Sequence, residues 1–242
     1  MNTQAVISYR PAQERGFTEI DWLQSQHSFS FGEYYDPAHM GFGPLRVLNE
    51  DRVASGAGFP MHGHAHMEII TYVLSGALQH RDSLGNGDVI RPHDVQVMSA
   101  GGGIHHSEFN PSDSEAVHFL QIWILPQNNI AAPHYQQTSF DPAGAENQWQ
   151  LLASPDGAAG SLVIRQDAQM KVLRLNAGSA ALDLDPARKY WLQNAGGHAT
   201  LTGDGFTLAL GAGDGAGLEK ASGTAILQAA AQAEILLFDL PQ

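Results

Sequence analysis

Two short runs hold the residues best suited to chemistry. His62-Gly63-His64 sets two imidazoles at i and i+2, and His106-Ser107-Glu108 repeats that spacing with an imidazole and a carboxylate. In a β-strand, residues two apart point to the same side, so each run presents a pair of ligand-type groups to one surface. If the two strands face each other across a barrel, three neutral imidazoles and one carboxylate converge. That set suits Fe(II), Mn(II), Ni(II), Co(II) or Cu(II) and leaves positions open for a substrate and O₂. Gly63 and the Gly101 to Gly103 corner are expected to let the backbone approach the ion closely. On spacing alone, ordinary surface or hydrogen-bonded core histidines are an equally good reading.

The elements that must position these residues are strands. MEIITYVL (67–74) and HFLQIWIL (118–125) are β-rich runs, and shorter ones are expected at 28–31, 45–48, 78–81, 89–91 and 95–98. Helical periodicity is scarce, with one short turn of helix expected within 11–26. The polar stretches near 126–129 and 136–147 read as a boundary or crossover, after which short strands resume to residue 240. The fold class expected is all-β, two antiparallel barrels or sandwiches in one chain. The division is placed at 1–130 and 131–242.

Composition narrows the function classes. The 242 residues carry 12 basic and 25 acidic side chains, a net charge of −13 with no basic run, so nucleic acid is an unsuitable partner. Cysteine is absent, which excludes disulfides, thiolate metal sites and Cys nucleophiles together. No apolar run approaches the roughly 20 residues of a membrane span, and the start lacks the apolar region of a secretory signal; a cytoplasmic protein without membrane contact is expected. No G-x-S-x-G, H-E-x-x-H or P-loop pattern occurs. Gly211 to Ala216 formally fits a dinucleotide fingerprint but lacks the helix that must follow, and reads as a turn.

Gly56-x5-His62-x-His64-x3-Glu68-x7-Gly76 resembles the first cupin motif, one residue longer than usual before its last glycine. Gly87, Pro92, His106 and Asn110 supply the second, with Asp94 where glycine is common. GFPMHGHAHMEIITYVLSGALQHRDSLGNGDV and QVMSAGGGIHHSEFNPS are similar to the pirin family, particularly its bacterial quercetin 2,3-dioxygenase-like members. The likeness is close over the N-terminal 126 residues and looser beyond. It implies a bicupin, two jelly-roll-like barrels, with one metal site in the first. It also implies the carboxylate ligand. Ordinary cupins use the position of Glu68, whereas pirins use that of Glu108. The ligand set implied is therefore His62, His64, His106 and Glu108, with Glu68 read either as orienting a histidine beside it or, equally well, as a solvated strand residue. His66 shares the parity of His62 and His64 and is placed at the cavity rim; His105 should point away. His80, His93 and His118 read as ordinary polar positions. Phe59, Met61, Tyr72, Met98, Phe109 and Trp123 are core residues first and pocket residues second.

The activity the resemblance implies is metal-dependent oxygenation of a flavonol such as quercetin, opening its C-ring with release of carbon monoxide and with Glu108 as general base. Fe(II) is the first choice of metal, with Ni, Mn, Co, Cu or Zn as alternatives. The rival reading is a metal- or redox-responsive regulatory protein with a protein partner and only incidental quercetinase activity. A cupin isomerase or decarboxylase is a weaker third, since few Arg and Lys are available to hold an anionic substrate.

Overall fold

The computed structural model describes residues 5–127 and 131–242. It is built almost wholly of antiparallel strands, which divide into two compact units. One unit comprises Gly16–Phe140 with Leu162–Gln166; the other comprises the residues up to Arg15, Asp141–Ser161 and Asp167–Gln242. The first strand in the chain, β1 (Val6–Arg10), belongs to the second unit, where it pairs with Gly215–Glu219.

In the first unit the strands are β2 (Gly16–Ile20), β3 (Leu23–His27), β4 (Leu45–Val53), β5 (Gly58–His64), β6 (Glu68–Ser75), β7 (Leu78–Asp82), β8 (Gly87–Ile90), β9 (Asp94–Ser99), β10 (Ile104–Phe109), β11 (Val117–Ile124) and β12 (His134–Ser139). They form a seven-stranded sheet in the order β12-β9-β6-β11-β4-β3-β2 and a four-stranded sheet in the order β5-β10-β7-β8. Alternation along the strands decides what faces inward. Val53, Val73, Leu78, Ile90, Val117 and Phe119 make one apolar cluster of this unit, and Ile69, Met98, Ala100 and Ile104 make another. Each fully buried Val, Leu, Ile, Met or Phe side chain among them contributes about 1.5–3 kcal/mol.

Elsewhere the inner face is polar. The register aligns His27, Asn49, Gln121, Thr71 and Gln96 in one row across β3, β4, β11, β6 and β9. His27, Thr71 and Gln96 are buried, and the row is held together by side-chain hydrogen bonds. His27 Nδ1 lies 2.9 Å from Asn49 Oδ1, Thr71 Oγ1 donates to Gln121 Oε1 at 3.0 Å, and Gln96 Nε2 donates to Thr71 Oγ1 at 3.2 Å. Such a row is tolerable inside a barrel because its members largely satisfy one another, Gln96 Oε1 being left without a partner.

In the second unit β1, Gly215–Glu219, Arg188–Gly197, Gln232–Pro241, Gln169–Asn176 and Gln150–Ser154 lie side by side in that order. Ser179–Leu184, Gly223–Gln228, Ala199–Gly203 and Phe206–Leu210 form its four-stranded sheet. Its interior is one leucine- and alanine-rich cluster that includes Leu173, Leu182, Leu192, Leu201, Leu227 and Leu237.

Several expectations are corrected. The run 28–31 is not a strand: Gly32 takes φ 56°, and Phe31 and Tyr34 close a tight turn through reciprocal backbone bonds of 3.0 Å. The stretch 134–139, read as part of a connector, is β12, paired with β9. It is an edge strand with half-exposed side chains, so it lacks the apolar signature of a central strand. The compact units divide after Phe140 and place β1 with the second unit, because strand pairing is not local in sequence. The helical turn expected within 11–26 is the 3₁₀ turn Ala12–Glu14, and β2 and β3 take up the rest. Gly211 to Asp214 is a turn, closed by Gly211 N donating to Asp214 Oδ2 at 2.8 Å. No helix among the described residues is long and apolar enough to cross a membrane.

Candidate metal centre

β10 lies between β5 and β7, so its inward side chains meet neighbours on both sides. His106 pairs with His62 across β5 and with Asp82 across β7; Glu108 pairs with Phe59 and with His80. Between His106 and Glu108 the register to β5 shifts, a bulge that accommodates Pro60 and Met61. Proline suits such a position because it has no N–H to give the ladder. The bulge also orients a histidine: His62 Nδ1 lies 2.7 Å from the Pro60 carbonyl, so it carries the proton and donates, leaving Nε2 for a ligand.

The three histidines expected as ligands come together. Ring centroids are 4.7 Å apart for His62 and His64, 4.5 Å for His62 and His106, and 4.9 Å for His64 and His106. One candidate ligand atom from each lies within 4.8 Å of the others. His106 is fully buried, and neither of its ring nitrogens has a hydrogen-bond partner. A buried imidazole in that state is costly, and a divalent cation bound through one nitrogen relieves the cost. The donor set therefore fits a metal ion. Burial, and then the neighbouring His62, lower the His64 pKa to about 4. Burial and the surrounding histidines push His106 well below the ordinary value. Both rings are thus neutral near pH 7, the form that binds metals.

Glu108 is 1% exposed. Gln121 Nε2 donates to its Oε2 at 3.0 Å, and the Thr71 hydroxyl, which Gln121 Oε1 and Glu108 share as alternative acceptors, lies 3.3 Å from its Oε1. Burial raises its pKa to about 7, against the pull of those hydrogen bonds; a nearby cation would favour the carboxylate again. Its ligand atom falls in a second group within 4.8 Å, made with His106 and His80.

His80 is the residue that reading the sequence missed. It is fully buried, its Nε2 lies 3.1 Å from Asp82 Oδ2, and its ring stacks on Tyr135 at 4.7 Å and lies 5.3 Å from that of His106. The available signal was the His80-x-Asp82 pair, an i, i+2 arrangement like the other two.

Glu68 is buried too, but its carboxylate accepts from Ser99 Oγ at 2.6 Å and from Arg165 N at 3.2 Å, and neither partner is a histidine. His66 lies beyond the end of β5, exposed, with φ 57° and its N–H donating to Gly101 O at 2.8 Å. The parity of the strand therefore does not carry to it. Gly63 answers a different need from the one expected: a Cβ there would stand 3.1 Å from the ring of His105, which is exposed on the outer face.

A cavity of about 780 Å³ opens beside the histidines. His62, His64 and Glu108 line it together with Leu23, Phe31, Phe59, Met61 and Trp123. The Trp123 ring stands edge-on to His64 at 4.9 Å. Tyr72 and Met98, by contrast, are core residues. The size and the mixed apolar lining are those of a small-molecule site.

The pirin family model matches residues 9–124, and a model described as the quercetinase C-terminal cupin domain matches 151–240. The chain belongs to the pirin family. This pirin is 41% identical to the quercetin 2,3-dioxygenase of Escherichia coli O157:H7 over 237 residues, 98% of this chain and 99% of that one. It is 39% identical to a pirin-like protein of Caulobacter vibrioides over 97% of this chain and 99% of that one. Among solved structures, Escherichia coli YhhW superposes with a TM-score of 0.91 at 41% identity, covering 98% of each chain. A nickel(II) complex of YhhW gives 0.90 at 40% identity, covering 98% of this chain and 99% of that one. Both units of this pirin are thus cupin barrels.

Proposed function

We propose that the protein is a metal-dependent flavonol dioxygenase that opens the C-ring of a quercetin-like substrate with O₂ and releases carbon monoxide. The observation that carries this reading is the buried, unpartnered His106 ring packed against His62 and His64, two of the residues that line a cavity of about 780 Å³, roomy enough for a flavonol. Quercetin 2,3-dioxygenase names among near full-length relatives support it. His62, His64 and His106 would hold a divalent ion, with Glu108 as fourth ligand. A bound ion would supply Lewis-acid activation of the flavonol 3-hydroxyl and a site at which O₂ and substrate meet.

The remaining roles belong to the chain. Phe59 and Trp123 flank a planar ligand and exclude water from its reacting edge. Glu108 accepts the 3-hydroxyl proton, with Gln121 and Thr71 fixing the direction of its carboxylate. Pro60 O holds His62 in one tautomer. The nickel complex of YhhW shows that a relative takes a divalent ion; Fe(II) is the metal proposed for turnover here, given the imidazole and carboxylate set.

Elemental analysis of the purified protein, then quercetin turnover with and without O₂ and with carbon monoxide detection, tests this. Loss of the flavonol absorbance that needs both metal and O₂, with carbon monoxide formed in step, is expected. Metal-loaded protein that leaves quercetin unchanged in air would refute it.

A further inference from the structure

Asp51 is the buried acid for which the chemistry above has no use. It sits on β4, next to Phe119 on one side and Ser25 on the other, and lines the same cavity as His62, His64 and Glu108. It is 4% exposed, and Ser25 Oγ donates to its Oδ1. Its Oδ2 accepts no hydrogen bond, and no cation pairs with it, among the described residues. A carboxylate offers about four lone-pair sites, so most of its accepting capacity is unused. The neighbouring polar groups are committed differently: Asn49 is bonded to His27, and His27 Nε2 lies 2.9 Å from Thr18 Oγ1.

Burying an acid with a single neutral donor is unfavourable. A barrel that needed only packing would carry an apolar residue there, as the next inward residue on the strand, Val53, does. The group that would complete Asp51 is a hydrogen-bond donor delivered through the cavity. The walls of the cavity that Asp51 shares with His62 and His64 include Leu23, Phe59 and Trp123, which suit a flat aromatic body.

Resting on the flavonol reading, we propose that Asp51 is a second anchoring point of the site. Its Oδ2 accepts a hydrogen bond from a phenolic hydroxyl other than the one presented to the histidine cluster. The site thereby selects polyhydroxylated flavonols over those that bear the 3-hydroxyl alone. Asp51 is a positioning and specificity residue and exchanges no atom with the substrate.

Dissociation constants of quercetin and of 3-hydroxyflavone, titrated by absorbance under nitrogen on the metal-loaded full chain, test this. At about pH 8.5, where Asp51 is ionised, wild-type protein should hold quercetin about 10- to 100-fold tighter than 3-hydroxyflavone, the range for a hydrogen bond to a charged group. Asp51→Ala should bring that ratio close to one, with metal content unchanged. Asp51→Asn preserves the shape and, as a neutral acceptor, should reduce the ratio severalfold; should the alanine variant fail to fold, this variant decides alone. A ratio unaltered by the substitution, or a variant that weakens both ligands equally, overturns the anchoring role and leaves the flavonol reading standing. Failure of wild-type protein to bind either flavonol overturns both.

Discussion

Where β5 and β10 set His62 against His106 in the first barrel, the matching strands of the second, Ser179–Leu184 and Gly223–Gln228, set Ala180 against Leu227 and Leu182 against Ala225. The two four-stranded sheets share one order: the first of their strands in the chain pairs with the fourth, then the second, then the third. Their inner faces have opposite fates. The second barrel is closed by its leucine and alanine cluster, whereas the first keeps a cavity and buries His80, His106, Glu108 and Asp51 in its interior. One strand order thus serves either as a packed core or as a reaction vessel, and the choice lies in a handful of inward positions. The vessel is the costlier arrangement, because each buried polar group must find a partner or a ligand.

Changing those positions tests the contrast. His106→Leu gives the first barrel a residue of the kind that fills the second. It should abolish metal retention and reduce turnover by more than the roughly 10–100-fold typical of changes around a metal ligand. In metal-free protein the same change should leave the fold intact or raise its stability by about 1–2 kcal/mol, since an unpartnered imidazole is replaced by an apolar side chain. Elemental analysis and urea unfolding read the two effects, and full metal content in this variant would remove His106 from the site.

The reverse contrast is Leu227→Ala in the second barrel. It should cost about 2–5 kcal/mol in denaturant unfolding, with the metal content of the folded protein unchanged. A fall in metal content there would mean that the packed barrel does more than pack.

Acidity sharpens the comparison further. Burial raises the carboxyls of Asp51 and Glu108 to about 7, so in metal-free protein each keeps its proton where the unfolded chain has lost it. Their stabilising contribution is complete below about pH 4 and disappears as pH rises through about 7. His64 works the other way: lowered from 6.5 to about 4, it contributes above its ordinary value and loses that contribution as pH falls through about 4. Asp51→Asn removes only the first effect. The stability of wild type relative to this variant should therefore fall by up to about 3 kcal/mol between pH 5 and pH 8. A difference independent of pH would show that Asp51 titrates as an exposed acid does.

The smallest effect expected is that of Gln121→Leu. It frees Glu108 Oε2 from its 3.0 Å donor and should weaken metal binding about 10–100-fold without disturbing the fold. A competition titration with a chelator measures it, and unchanged affinity would mean that Gln121 does not orient Glu108.

Much of this was legible along the chain, for reasons that can be assigned to residues. Strands such as β6 and β11 announce themselves because β-branched and aromatic residues recur in turn-bounded runs. The facing of His62 with His64 follows from strand period alone. β12 was hidden because an edge strand carries polar residues on both faces. Ser28 to Phe31 misled because it alternates polar and aromatic residues like a strand, whereas Phe31 opens a tight turn with Tyr34. Asp51 gave no sign, since an acid between Glu50 and Arg52 reads as a solvated strand residue until its burial is seen.

The amino-acid sequence by itself determined an all-β, cysteine-free chain with two short histidine runs, each of which must show its ligand-type pair on one face. Local geometry imposes that, since alternation needs no knowledge of the rest of the fold. Only the tertiary structure decided which histidines meet. The antiparallel register of β5, β10 and β7 brings His62, His64 and His106 together, and His80 beside them, while the end of β5 leaves His66 outside. It also decided that Asp51 and Glu108 share one cavity and that β1 completes the second barrel. Pairing between distant strands is a property of the whole chain, so no window of sequence contains it.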